Sequence, residues 1–319
     1  MQERSLIIDT DTAGDDAIAL LMALQSFHVE GVTICGGNVA FDQEVKNALF
    51  TLALAPTKTK VPVYRGCERP LLMAKDQQHE TVEHIFGANG MGDVEVTLTV
   101  QQPETQHAVD FIIETAHRLA GELELIAIAP LTNIAMAIQK DPSIVSLIRH
   151  LYIMGGVNNA LGNATAAAEY NFYTDPEAAK LVFQAGIPIT LVDWQLCVTD
   201  GVMTPDDEAY ITTPETQGTT FYQELNAVVK AYDMEVNGVA GITHTDALLA
   251  AVAGDPTLEV KGGDYFVDIE TTGELTRGYS LIDVANYSKK PANAHVVEQI
   301  DHIRFREYVR TVLQQIVEV

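Results

Sequence analysis

Apolar residues in this chain fall in short unbroken runs, with little alternation between apolar and polar positions. The runs SLIID, VEGVTICGG, VPVYRG, LELIAIA, HLYIMGG and PITLVDW read as strands buried on both faces. Between them lie stretches with helical spacing: DDAIALLMALQ, DQEVKNALFTLALA, QHAVDFIIETAHRLAG, LTNIAMAIQK and DPEAAKLVFQAG. This alternation predicts an α/β fold with a doubly wound, mostly parallel sheet flanked by helices. Residues 201–260 read mainly as helix, with TTFYQELNAVVKAYDMEV and TDALLAAVAGDP the clearest segments. From residue 264 the pattern changes. DYFVDIETTGELTRGYSLIDVAN predicts a small hairpin around a Thr-Gly turn, AHVVEQI a further strand, and DHIRFREYVRTVLQQIVEV a closing helix capped by Asp301. No Pro/Gly/Ser-rich linker interrupts the chain, so residues 1–319 read as a single domain.

Charge narrows the choice of partners. Acidic residues number 44 against 19 basic, a formal charge of −25. Such a surface repels phosphate backbones and anionic lipid, which speaks against nucleic-acid and membrane partners. No run approaches the roughly 18–20 apolar residues that cross a bilayer, and MQERSLIIDT lacks the pattern of a signal peptide. Cys35, Cys67 and Cys197 have no metal-like spacing and read as small buried residues in a reducing, cytoplasmic compartment. His79 and His107 read as surface histidines.

In open α/β sheets, ligands bind outside the carboxyl ends of the strands. The polar residues that follow the strands converge in type. Asp9, Asp11, Asp15 and Asp16 follow the first strand, and Asn38 follows the second. The loop after HLYIM is long for an α/β connection and carries Asn163, Glu169 and Asn171. Asp246 opens a late helix. Several carboxylates meeting in one cleft need a cation, and an all-oxygen set favours a hard one, Mg²⁺ or, with bidentate carboxylates and a backbone carbonyl, Ca²⁺. Amides and carboxylates suit a neutral polyhydroxyl ligand such as a sugar, whereas phosphate would call for Arg, Lys and glycine amides.

The motifs DTDTAGDDA, GGN, PLTNIA, MGG, GNATAAAEYNFYTDPEAA and TDALLAAV, together with TGELTRG, resemble the inosine–uridine-type nucleoside hydrolases in kind and order. The resemblance runs from residue 6 to the closing helix. It implies hydrolysis of the N-glycosidic bond of ribonucleosides to ribose and free base by a Ca²⁺-bound water. It assigns Ca²⁺ to Asp11, Asp16, Asp246 and the Ile128 carbonyl, and makes Asp11 the base that takes the proton of the water. It gives the ribose hydroxyls to Asp15, Asn38, Asn163, Glu169, Asn171 and Asp246, with help from the Met154 carbonyl. Asp9 is expected to orient the other carboxylates. The family also implies a small-molecule ribonucleoside as partner and a homodimer or homotetramer.

The base end departs from the family pattern. Many members carry His directly before the last metal Asp. Here Thr245 stands there and His244 one residue earlier, a shift that turns a helical side chain by about 100°. His244 is therefore either the acid that protonates the leaving base or a structural histidine. The family's His-Gly pair is replaced by Phe86-Gly87, with His84 two residues earlier. Phe86 either stacks on the base or packs beneath a loop. His84, Phe86, Trp194, Tyr232 and Thr245 are candidates for the base pocket, and Tyr222, on the same helical segment as Tyr232, is a further candidate to cover the base. Two alternatives stand beside the nucleoside reading: an N-glycosidase for another ribosyl compound, and a Ca²⁺-stabilised nucleoside or sugar binder that has lost turnover.

Overall fold

The computed structural model describes residues 4–56, 60–72, 81–92, 94–97 and 99–316, so His79 lies outside the described residues. The first half runs β1 Ser5–Thr10, α1 Gly14–Ser26, β2 His28–Ile34, α2 Phe41–Leu54, β3 Val63–Arg65, α3 Glu83–Phe86, α4 Ala108–Leu119, β4 Leu123–Ala127, α5 Thr132–Lys140 and β5 Ile148–Met154. It continues with α6 Tyr170–Thr174, α7 Pro176–Ala185, β6 Ile189–Val192, α8 Trp194–Thr199, β7 Val202–Met203, α9 Pro205–Ile211, α10 Gln217–Leu225 and α11 Ala227–Tyr232. β8 Ile242–Thr243, α12 Asp246–Gly254, β9 Glu259–Tyr265, β10 Val267–Ile269, β11 Ser280–Ile282, β12 Ala294–Ile300 and α13 His302–Leu313 complete it.

Eight strands form one sheet in the order β3-β2-β1-β4-β5-β6-β12-β9. Every pairing is parallel except β12 with β9. The period-two geometry of a strand splits β1 between two cores. Leu6 and Ile8 pack on one face with residues of α1, α2, α12 and α13, while Ile7 packs on the other with residues of α4, α5 and α7. Both faces are covered, which is why the strands read as apolar throughout. From β1 the chain steps to β2 and β3 on one side, then returns to β4, β5 and β6 on the other. The sheet therefore changes direction between β1 and β4. At that point the strand ends diverge and open a crevice, the usual ligand position in such folds.

Local signals set the helix ends around this crevice. Asp175 caps α7 by accepting the Ala178 N–H (3.0 Å), Pro176 supplies a preset φ, and Gly186 ends the helix at φ 93°. Asp301 caps α13 as expected, accepting the Arg304 N–H (3.1 Å). His107 caps α4 through Nδ1, which accepts the Val109 N–H. Cys35 and Cys197 are buried and Cys67 is half-buried, all three as free thiols.

Three expectations need correction. Trp194 does not end a strand; Asp193 stops β6 and accepts the Leu196 N–H (2.9 Å), so Trp194 opens α8. The segment read as one long helix over TTFYQELNAVVKAYDMEV breaks at Asn226, whose side-chain amide bonds the Tyr222 carbonyl, and ends in a π-turn at Asp233–Asn237. The hairpin is not built on a Thr-Gly turn. β10 and β11 pair antiparallel, but residues 270–279 intervene, and DY belongs to β9. Among the described residues no helix is long and apolar enough to cross a membrane.

Candidate active site

A cavity of about 460 Å³ opens over the carboxyl ends of the central strands. Asp11, Asp15, Ile128 and Asp246 line it at the divergence of β1 and β4. Asp15, Asp16 and Asp246 each bring a carboxylate oxygen within 4.8 Å of the other two. Asp11 lies outside that triplet but is the most exceptional of the four: both of its carboxylate oxygens are buried without a hydrogen-bond partner. Asp15 Oδ1 is likewise buried and unpartnered, while its Oδ2 accepts the Thr245 hydroxyl.

Asp16 does the capping. Its carboxylate accepts the Ala13 N–H (2.9 Å) and the Thr10 hydroxyl (2.5 Å), and Asn38 donates to it at 3.4 Å. Burial and the charge of Asp15 still push the Asp16 carboxyl up to about 8. Burial, reinforced by Asp16, Glu44 and Asp15, drives Asp11 well above the ordinary carboxylate range, and burial with Asp15, Asp16 and Asp11 does the same to Asp246. A carboxylate cluster without Arg or Lys is unfavourable by itself. Unpartnered oxygens on Asp11 and Asp15, with the carboxylates of Asp16 and Asp246 close by, form an all-oxygen set that suits a hard divalent cation. Gly37 makes room for the cluster, because a Cβ there would overlap the Asp11 carboxylate.

Asp9 is not part of the group. Thr33 (2.5 Å) and Asn133 (2.8 Å) both donate to its Oδ1, and burial pushes it up to about 7. It faces α5 and ties β1 to β2, so the expected orienting role has no hydrogen bond to carry it.

The side walls bring together the polar residues named from the sequence. Asn38, Met154, Asn163, Glu169 and Asn171 all line the cavity. Glu169 caps α6 and accepts the N–H groups of Gly156 (2.8 Å), Asn171 (2.8 Å) and Phe172 (3.2 Å). Burial outweighs these bonds and pushes its carboxyl up to about 7. Asn171 donates to the Met154 carbonyl (3.2 Å), while exposed Asn163 accepts the Tyr170 N–H (2.9 Å). Ile128 lies at the end of β4, where its N–H donates to the Asp9 carbonyl (2.9 Å).

At the other end, His84, Phe86, Trp194, Tyr232 and Thr245 line the same cavity. His84 meets Tyr232 edge-on with ring centroids 5.7 Å apart. Phe86 both lines the cavity and rests on the core below. His244 is a correction. It is fully buried behind the cavity wall, its Nε2 is 2.7 Å from the hydroxyl of Tyr222, which is itself fully buried there and covers no base, and it packs against Phe305. Burial lowers it to about 4, so the ring is neutral. The one-residue shift has turned it away from the cavity, and Thr245 faces in instead.

Several lining or supporting residues escaped the sequence reading. Glu44, fully buried in the first turn of α2, accepts the N–H groups of Gly37 (3.0 Å) and Val39 (3.2 Å) and shapes the GGN loop. Glu44, Asn47 and Thr51 are all buried at helical spacing, so polar residues on an apolar stripe were the available signal. Tyr170 donates its hydroxyl to the Gly37 carbonyl (2.7 Å). Asp233 reaches the cavity from the π-turn. Glu177 and Arg277 line the wall beside α6.

Comparison with known proteins agrees with this architecture. The family model described as inosine-uridine preferring nucleoside hydrolase matches residues 6–307. The pyrimidine-specific ribonucleoside hydrolase RihB of Escherichia coli (strain SE11) is 33% identical over 305 residues, covering 94% of each chain. A solved plant nucleoside hydrolase, PpNRh1, superposes with a TM-score of 0.89 at 27% identity, over 98% of this chain and 99% of its own. A purine-preferring ribonucleoside hydrolase from Gardnerella vaginalis gives 0.88 at 30% identity, over 97% and 98%. With matched motifs, fold and near-complete coverage, the chain belongs to the inosine–uridine preferring nucleoside hydrolase family.

Proposed function

We propose that this protein hydrolyses the N-glycosidic bond of ribonucleosides, with Asp11 as general base and with Asp11, Asp16, Asp246 and the Ile128 carbonyl holding Ca²⁺. The observation that carries this reading is the pair of unpartnered Asp11 oxygens beside three further carboxylates at the sheet's switch point. When bound, the cation balances these charges and acidifies a water beside them. Asp11 takes the proton as the water oxygen adds to C1′ and the C1′–N bond breaks. The carboxylates of the floor stabilise the oxocarbenium-like sugar formed on the way. Asp15, Asn38, Asn163, Glu169, Asn171, Asp246 and the Met154 carbonyl hold the ribose hydroxyls and fix C1′ over Asp11.

The base leaves toward His84, Phe86, Trp194, Tyr232 and Thr245. His84, paired edge-on with Tyr232 in the cavity wall, protonates the departing nitrogen, a role the enclosed His244 lacks the access to perform. A purine-preferring and a pyrimidine-specific enzyme both stand among the relatives, so base preference rests on this wall. The reading includes residues 1–319 as one catalytic domain, the cytoplasm as compartment and a homodimer or homotetramer as assembly.

The test is a panel of purine and pyrimidine ribonucleosides with p-nitrophenyl riboside, assayed for released reducing sugar in the presence of Ca²⁺. Turnover of at least one ribonucleoside is expected. No turnover of any ribosyl substrate by the folded protein sinks the reading. Restoration of the chelated enzyme by Mg²⁺ but not Ca²⁺ corrects the cation, and light scattering reads the assembly.

A further inference from the structure

Resting on the nucleoside reading, we propose that the Glu177–Arg277 pair is a specificity element that admits ribosides with a free C5′ hydroxyl and rejects those carrying a phosphate there. Ribose geometry sets the argument. The C2′ and C3′ hydroxyls share one edge of the ring, while the base on C1′ and the hydroxymethyl on C4′ leave from the two ends of the opposite edge. With the diol on the acidic floor and the base toward His84 and Tyr232, C5′ points to the far wall. The two walls rest on opposite faces of the sheet. The aromatic wall packs on the core shared with α1 and α12, and the Glu177–Arg277 wall on the core shared with α5, α7 and β10.

Arg277 is the one Arg or Lys among the described residues that line the cavity. Its charge is already committed. The guanidinium donates from two nitrogens to the two Glu177 oxygens (2.6 and 2.7 Å) and also to the Thr271 carbonyl (2.6 Å), the bidentate fork that a phosphate would otherwise occupy. The neighbouring turn holds it there: Gly278, at φ 82°, lies so close to α6 that a Cβ would stand 2.7 Å from the Tyr173 Cα. Glu177 also borders a second, open depression on its outer side. Lys180 in that depression is committed in the same way, to Asp268 (2.7 Å) and the Ile269 carbonyl (2.9 Å). Among the described residues, a phosphate at C5′ therefore meets Glu177 and Glu169 and no uncommitted Arg or Lys.

The test compares ribose with ribose 5-phosphate as competitive inhibitors of nucleoside hydrolysis. In the wild type, ribose 5-phosphate is expected to bind at least tenfold more weakly than ribose, with the gap narrowing as salt screens the carboxylates. Glu177→Gln, which releases the guanidinium, should shrink the gap at least tenfold. Arg277→Gln, which leaves Glu177 unpaired, should widen it at least threefold. Equal binding of the two sugars by the wild type, or an unchanged gap in either folded variant, overturns the proposal. Absence of any nucleoside turnover by the wild type would instead strike the functional reading on which it rests.

Discussion

The two ends of the sheet treat acidic side chains in opposite ways. At the amino-terminal end, Glu124 lies under the Arg4 guanidinium, which also donates to the Tyr152 hydroxyl (2.8 Å) and the Ala253 carbonyl (2.8 Å). Nearby, His295 sits 2.8 Å from both Asp264 and Glu259. Each of these carboxylates has a cation or potential cation beside it. At the carboxyl-terminal end, Asp11, Asp15, Asp16 and Asp246 crowd together with no such partner among the described residues. Evolution of a stable domain explains the first arrangement. The second costs stability in the protein alone, a cost that the cation and substrate proposed for this site would offset.

The contrast breaks most visibly at Asp11. Asp11→Ala should lower kcat by about 10²–10⁴-fold, measured as reducing sugar from the best nucleoside. Asp11→Asn should also raise the stability of the chelated protein, by about 1–3 kcal/mol, because it removes one ionisable group from a buried cluster of like charges. A urea melt in chelator that shows a loss of stability would overturn the account of the floor. At the other end the signs reverse. Arg4→Met should cost about 2–3 kcal/mol by leaving Glu124 unpaired, somewhat less than a fully buried pair because the Arg4 side chain is 30% exposed, with kcat unchanged.

The two histidines of the base end sharpen the same distinction within one region. His84→Ala should cut kcat by about 10–100-fold with little change in melting temperature. His244→Gln should cost about 1–2 kcal/mol through its bond to Tyr222 and leave kcat nearly intact. The reverse pattern would return the proton donor to His244. The smallest effect belongs to His295. Burial opposes its charge, but the hydrogen bonds it donates to Asp264 and Glu259 outweigh burial and raise its pKa. A raised pKa in the folded state means that its stabilisation is full below the ordinary value of about 6.5 and is lost as pH rises through the folded value. Wild type should therefore lose slightly more stability than His295→Gln between neutral and alkaline pH, read from melting temperatures.

The central sheet was legible because double-sided burial leaves an unmistakable trace: runs such as LELIAIA have no polar face to show. The floor was legible because four aspartates crowd the handover from β1 to α1, more than one helix cap requires. The base end was harder. A helical side chain changes direction with every residue, so HTD could not say whether His244 faced in or out until the turn after β8 was fixed in space. Glu177 and Arg277 come from segments 100 residues apart, and only the packing of the C-terminal hairpin against α7 joins them. The Thr-Gly turn misled because TG is a local signal, while the ten residues 270–279 are held by distant contacts with Glu177 and Tyr173.

Gly37 has no polar side chain and touches no proposed ligand through one, yet the space where its Cβ would be is filled by the Asp11 carboxylate. This makes it a neutral off-switch. Gly37→Ala would yield a protein with every acidic residue, the full net charge and the whole aromatic wall intact, but with the carboxylate proposed as its general base displaced. Such a silent copy is the control that charge-changing variants cannot provide, and a screen of related chains that checks acidic residues alone would count it as alive.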